Sequence, residues 1–142
     1  MAEKRKGKKD KKENCALGVC RPERTQGLVA EVPQGDHNLV TLEGPGLFVG
    51  AHVSKQGGTN DLTFVSLDID GRNVTNLSFA AARNLGLTQQ NPYGLVLLES
   101  DALQNLTIGF PTPLQFRRSL TLSVTVKEDN IVQILGNVIH GR

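Results

Sequence analysis

Beyond Thr25 the chain repeats one pattern: apolar residues at every second position in short runs, each closed by Gly, Pro or Asn. Period two puts alternate side chains on opposite faces of an extended backbone, so each run reads as a half-buried β-strand. Leu47, Val49, Ala51 and Val53 share one face of the clearest run. Val65, Leu67 and Ile69 share a face of the next, with Ser66 and Asp68 opposite. Further strands are expected over 27–32, 38–42, 92–99, 106–110 and 131–140. Leu114, Phe116, Leu120, Leu122, Val124 and Val126 stay in phase, which predicts one long strand bent near Arg117 and Arg118. Turns are expected at 33–36, 43–46, 55–60 and 127–130, and Asp70-Gly71 carries hairpin-turn chemistry.

One segment departs from the pattern. Residues 78–85 are Ala-rich, with Ser78 suited to an N-cap and Gly86 to the position after the helix, so a helix of one or two turns is expected. About eight strands at roughly 8–12-residue spacing argue for an all-β sandwich, jelly-roll-like in type. A closed up-and-down barrel is the alternative, because periodicity does not contain strand order.

The first 24 residues differ from everything after them. They hold nine Lys/Arg against Glu3, Asp10, Glu13 and Glu23, a net +5. The rest holds seven against ten, a net −3. Residues 1–14 lack apolar periodicity and are expected to be disordered unless a partner orders them. The division is therefore a basic arm over 1–24 and a β-domain over 25–142. A domain of about 118 residues can bury an ordinary core without metal or disulfide support.

Several functions lose ground on composition. There is no Trp, Tyr93 is the single tyrosine, and five Phe complete the aromatics. Sugar-binding faces and single-strand nucleic-acid platforms stack on aromatic rings, which are scarce here. No apolar run approaches the roughly 20 residues of a membrane span. The basic N-terminal stretch has no apolar segment behind it, so a conventional secretory signal is not expected. Localisation therefore stays open, an extracellular or viral assembly being one setting.

Catalytic motifs are also missing: there is no G-x-S-x-G, no P-loop and no G-x-G-x-x-G before a helix. His37, His52 and His140 are scattered, and His52 faces away from the apolar side of its strand with Asp61 and Asp68 as nearby acids. Asp68 to Asn73 faintly resembles the start of a calcium loop, but Asp-Gly in a hairpin is ordinary turn chemistry. Neither catalysis nor a cofactor is expected.

The candidate functional residues lie in the arm. Cys15 and Cys20 form a C-x4-C pair, incomplete as a zinc site. They are candidates for a disulfide, within the arm or between two arms, since the body holds no cysteine to receive them; free thiols are the other reading. Leu17 and Val19 could add as a strand to a neighbour's sheet edge. Lys4, Arg5, Lys6, Lys8, Lys9, Lys11 and Lys12 are the candidate contacts to nucleic acid or an anionic surface. Arg117 and Arg118 are read as one solvent-facing arginine and one at a bend, or as interface arginines pairing with Glu99 or Asp101.

A basic arm with Cys15 and Cys20, followed by a β-domain, resembles in layout the small capsid subunits of viruses. It is similar in layout also to the jelly-roll subunits of bacterial surface and endospore appendages. The resemblance covers layout alone and carries over no functional residue. It implies a structural subunit of a filament, coat or virion, a homo-oligomer whose arm contacts neighbouring subunits. A non-enzymatic binding module that uses the arm on nucleic acid or an anionic surface is the alternative.

Overall fold

The computed structural model describes residues 21–142 except Tyr93, Asp101 and Ala102. The arm candidates from Lys4 to Cys20 lie outside the described residues. Nine strands and one short helix follow: β1 (Glu23–Val32), β2 (Gly35–Glu43), β3 (Gly46–Gly57), β4 (Thr63–Ile69), β5 (Arg72–Ser78), α1 (Phe79–Asn84), β6 (Leu95–Ser100), β7 (Leu103–Phe116), β8 (Ser119–Val126) and β9 (Ile131–Gly141). One sheet has the order β1-β9-β3-β7-β6, the other β2-β8-β4-β5, and every pairing is antiparallel.

The pairings are nested. β1 pairs β9, β2 pairs β8, β3 pairs β7 and β4 pairs β5. This is one long hairpin rolled over itself, the jelly-roll arrangement, with β6 added at the free edge of β7. The β-sandwich expected from periodicity is the fold. Its centre is the set of inward side chains from both sheets, including Phe48, Val53, Leu67, Leu106, Leu122 and Ile134, all fully buried.

Local chemistry sets the connections. Asp70 (φ 53°) and Gly71 (φ 81°) both take left-handed backbone between paired Ile69 and Arg72. That is the two-residue hairpin whose twist suits antiparallel strands. Ser78 caps α1 by accepting from the Ala81 amide at 3.0 Å. Gly86 (φ 75°) closes the helix, and its amide donates to the Arg83 carbonyl.

Four expectations need correction. Leu47 and Val49 do not share the inner face of Ala51 and Val53: the register shifts between Phe48 and Gly50, which turns Phe48 into the core and leaves Val49 exposed. The in-phase run 114–126 is two strands: it reverses at Arg117 and Arg118, which form the β7–β8 turn. Phe116 ends one strand facing the core and Leu120 starts the next facing it too, so a reversal leaves the phase intact. Conversely, 106–110 and 114–116 are one strand, β7. Its pairing with β3 slips between Phe48 and Gly50, opposite Leu114 and Gly109, and Pro111 and Pro113 fall in that slip, where no ladder donor is needed. Lys55, expected in a turn, lies within β3, which runs on to Gly57.

Candidate functional site: two oppositely charged ends

Strand directions bring most charged side chains to the two ends of the sandwich. At one end meet β3's exit, the 57–62 loop, α1 and the β8–β9 turn. Lys55 alternates with Ala51 and Val53 on the inner side of β3, so its ammonium is carried inward and fully buried. Its Nζ donates to Asp61 Oδ1 at 2.7 Å and Glu128 Oε2 at 3.0 Å and stands 5.2 Å over the Phe79 ring. Glu128 is also buried. Its Oε1 accepts from the backbone amides of Thr59 at 2.8 Å and Asp61 at 3.1 Å, and its Oε2 from the Thr63 hydroxyl at 2.6 Å. Arg83 on α1 donates to Asp61 Oδ2 at 2.5 Å and grips both oxygens of Glu99. Gln104 donates to Glu99 at 2.7 Å.

Every acid in this network is held ionised. Burial raises the Asp61 carboxyl, but Lys55 and Arg83 outweigh it and bring it to about 2. Burial likewise raises Glu128, and the bonds from Thr63 and Lys55 overcome it, so the net direction is down. Arg83 lowers Glu99. General acid–base work near neutral pH uses carboxyls pushed upward. These are pushed the other way and occupied on nearly every lone pair, which is the chemistry of a clamp. It ties α1, β3, β6, β7 and the β8–β9 turn together.

The opposite end gathers the arginines. Arg21, Arg24, Arg72, Arg117, Arg118 and Arg142 are exposed there, around the start of β1, the hairpin turns after β4 and β7, and the end of β9. None forms an ion pair with a carboxylate among the described residues. Glu23 and Glu43 lie beside Arg21 and Arg142 and offset part of this charge. Asp70 is the acid nearest Arg117 and Arg118, and its carboxylate accepts from the backbone amides of Arg117, Arg118 and Ser119 at 2.7–3.1 Å. Those amides hold it at about 2. Arg72, Arg117 and Arg118 border an open cleft floored by Ile69, Val74 and Leu114. Glu99 sits at the far end, held by Arg83 and Gln104; Asp101 lies outside the described residues.

His52 is on the outer face of β3, as period two requires, but its neighbours are not Asp61 or Asp68. Asn137 lies 3.0 Å from its Nε2, and the Ser54 hydroxyl, 3.4 Å from its Nδ1, donates to Asn105. Ser54 shares His52's face two residues on, a relation the period predicts and the sequence reading passed over. The hydroxyl is committed to Asn105 and the row stands on a sheet face, so no activated nucleophile results. Asp68 accepts from Asn73 across the β4–β5 hairpin at 2.8 Å, which is turn chemistry. Among the described residues no group of three or more His, Cys, Asp or Glu could hold a metal ion, and no helix is long and apolar enough to cross a membrane.

No protein-family model matches this chain, and no curated protein matches it in sequence. Among solved structures, it is similar to a chain from the acidic stable capsid structure of Helicobacter pylori bacteriophage KHP30. The TM-score is 0.52 at 15% identity, over 86% of this chain and 88% of that one. A crystal structure of FLHE follows with a TM-score of 0.41 at 12% identity, over 85% and 98% of the two chains. A chain of T=1 particles derived from infectious bursal virus has a TM-score of 0.24 at 12% identity, over 87% of this chain and 40% of that one. The phage capsid chain shares the fold; the other two likenesses are too slight to bear on it.

Proposed function

We propose that this chain is a structural, non-catalytic subunit that assembles with copies of itself in a coat or virion, its arm of residues 1–24 contacting neighbouring subunits. The observation that carries this reading is the jelly roll shared along nearly the full length of both chains with a protein of a phage capsid. Two features support it. The buried charges neutralise one another in a clamp, leaving none of its carboxyls poised for proton transfer. The two ends of the sandwich carry opposite charge, so end-to-end or arm-to-body docking between copies is attractive.

A second reading is favoured by the six unpaired arginines at the end where the described chain begins, following seven Lys/Arg among residues 4–12. These would form one basic surface for nucleic acid or another polyanion. Removing residues 1–22, which spares β1, separates the two. Under the assembly reading, sedimentation velocity in nucleic-acid-free buffer finds large species for the full chain and small, folded ones for the truncated chain. Under the second, truncation leaves the sedimentation coefficient unchanged and abolishes salt-sensitive binding to a labelled oligonucleotide. If neither property moves, the arm is passive and both readings fail.

A further inference from the structure

We propose that the outer face of the five-stranded sheet is where two copies of this chain pair, about a two-fold axis running along β3. This rests on the reading of the chain as a self-assembling subunit and names the surface.

Three rows of outward residues cross all five strands. They run Ala30–Gln133–Gln56–Leu103–Ser100, Leu28–Leu135–Ser54–Asn105–Leu98 and Gln26–Asn137–His52–Thr107–Val96. None of these residues is an acid, a lysine or an arginine. The outer face of the other sheet is unlike it: beside the hydroxyls of Ser119, Thr121, Ser123 and Thr125 it carries Asp36, Glu43 and Asp68. A water-washed sheet face is ordinarily charged, whereas depletion of charge with retained leucines is the composition of an interface core.

The occupant follows from symmetry. A two-fold pairing lays a face on itself, so a charge near the axis would meet its own sign; the three rows carry none, and Arg24, in the next row at the β1 edge, falls over the partner's β6 edge rather than over its own copy. The polar groups left are mainly amides and hydroxyls, each both donor and acceptor, able to bond their own kind across the axis. Asn137, beside β3 at the middle of the face, is 8% exposed and its Oδ1 has no hydrogen-bond partner among the described residues. Five strands about 4.8 Å apart by three rows about 7 Å apart give a patch on the order of 500 Å². The next row, Arg24–Ile139–Gly50–Gly109, brings it nearer the roughly 800 Å² a stable dimer buries on each partner.

The axis makes the contact specific. β3 is the middle strand, so rotation about it sets β1 of one copy on β6 of the other. Leu28 and Leu98 occupy the two ends of one row and are each 56% exposed. Leu28 therefore meets the partner's Leu98, twice per dimer.

The test is sedimentation equilibrium on the full chain, in dilution below the concentration at which large species form, with circular dichroism melts to show that each variant folds. Wild type is expected to dimerise, and Leu98→Glu to raise the dimer dissociation constant on the order of 100-fold by seating an unpaired carboxylate at the interface. Leu28→Glu, on the opposite edge, should do the same and serves if the first variant does not fold. The combined Leu28→Lys and Leu98→Glu chain should recover dimerisation to within about tenfold, because each lysine then faces a glutamate. Unchanged association in both single variants overturns the proposal while large assemblies persist, leaving the coat reading intact. Loss in the single variants without recovery in the double overturns the axis along β3. A wild-type chain that stays monomeric and forms no assembly defeats face and coat reading together.

Discussion

Lys55 and Glu128 are both fully buried and stand 73 residues apart in sequence, which is why neither was legible as a partner of the other. Period two does place Lys55 on the inner face with Ala51 and Val53. Its neighbours Gln56, Gly57 and Gly58 read as a turn, and that punctuation masked the signal. Breaking a buried, hydrogen-bonded pair costs about 3–5 kcal/mol because the remaining charge is stranded. Glu128→Ala leaves Lys55 with Asp61 as its one counter-ion, so it is expected to lose about 3 kcal/mol, the lower end of that range, in urea unfolding at pH 7. The same network sets the response to acid. Asp61, Glu99 and Glu128 all titrate lower in the folded protein than in the unfolded chain, where carboxyls titrate near 4. Their stabilisation is complete above about pH 5 and is lost as the pH falls toward the Asp61 value of about 2. Thermal melts from pH 7 to pH 2 should therefore show a midpoint that falls steadily below about pH 5. The fall should be shallower in Glu128→Ala; equal slopes would remove Glu128 from the account.

Among the elements, those governed by local chemistry were readable. The Asp70-Gly71 hairpin, the Ser78 cap and Gly86 after α1 all rest on residues within a few positions of the feature. What was not readable is where a strand turns rather than continues. Arg117 and Arg118 carry no turn residue of their own; the reversal is held by Asp70, from another hairpin, whose carboxylate takes three successive amides. A turn stabilised from a distance leaves no local mark. β1 shows the converse dependence on a neighbour. A Cβ at Gly27 would overlap the Leu39 carbonyl, because β1 crosses close above β2 where the sheets meet. Gly27→Ala must push the two strands apart, and overpacking of this kind costs about 1–3 kcal/mol. A chemical-denaturation midpoint unchanged from wild type would show that β1 and β2 do not approach so closely.

At the scale of the whole molecule, the sandwich was visible in the sequence and its strand order was not. Alternation states that each strand has a buried face, but nothing in it says that β1 lies beside β9 rather than β2. The nested order follows from long-range pairing, and with it comes the separation of charge that the sequence showed only as a basic arm before an acidic body. The six arginines at one end derive from positions between 21 and 142 that strand direction alone brings together. The proposed self-assembling subunit rests on an arm, a jelly roll and oppositely charged ends. Negative-stain electron microscopy of the purified full chain in nucleic-acid-free buffer tests that claim most directly. Regular shells, rings or filaments are the predicted result; a field of small dispersed particles at every concentration tried would contradict it.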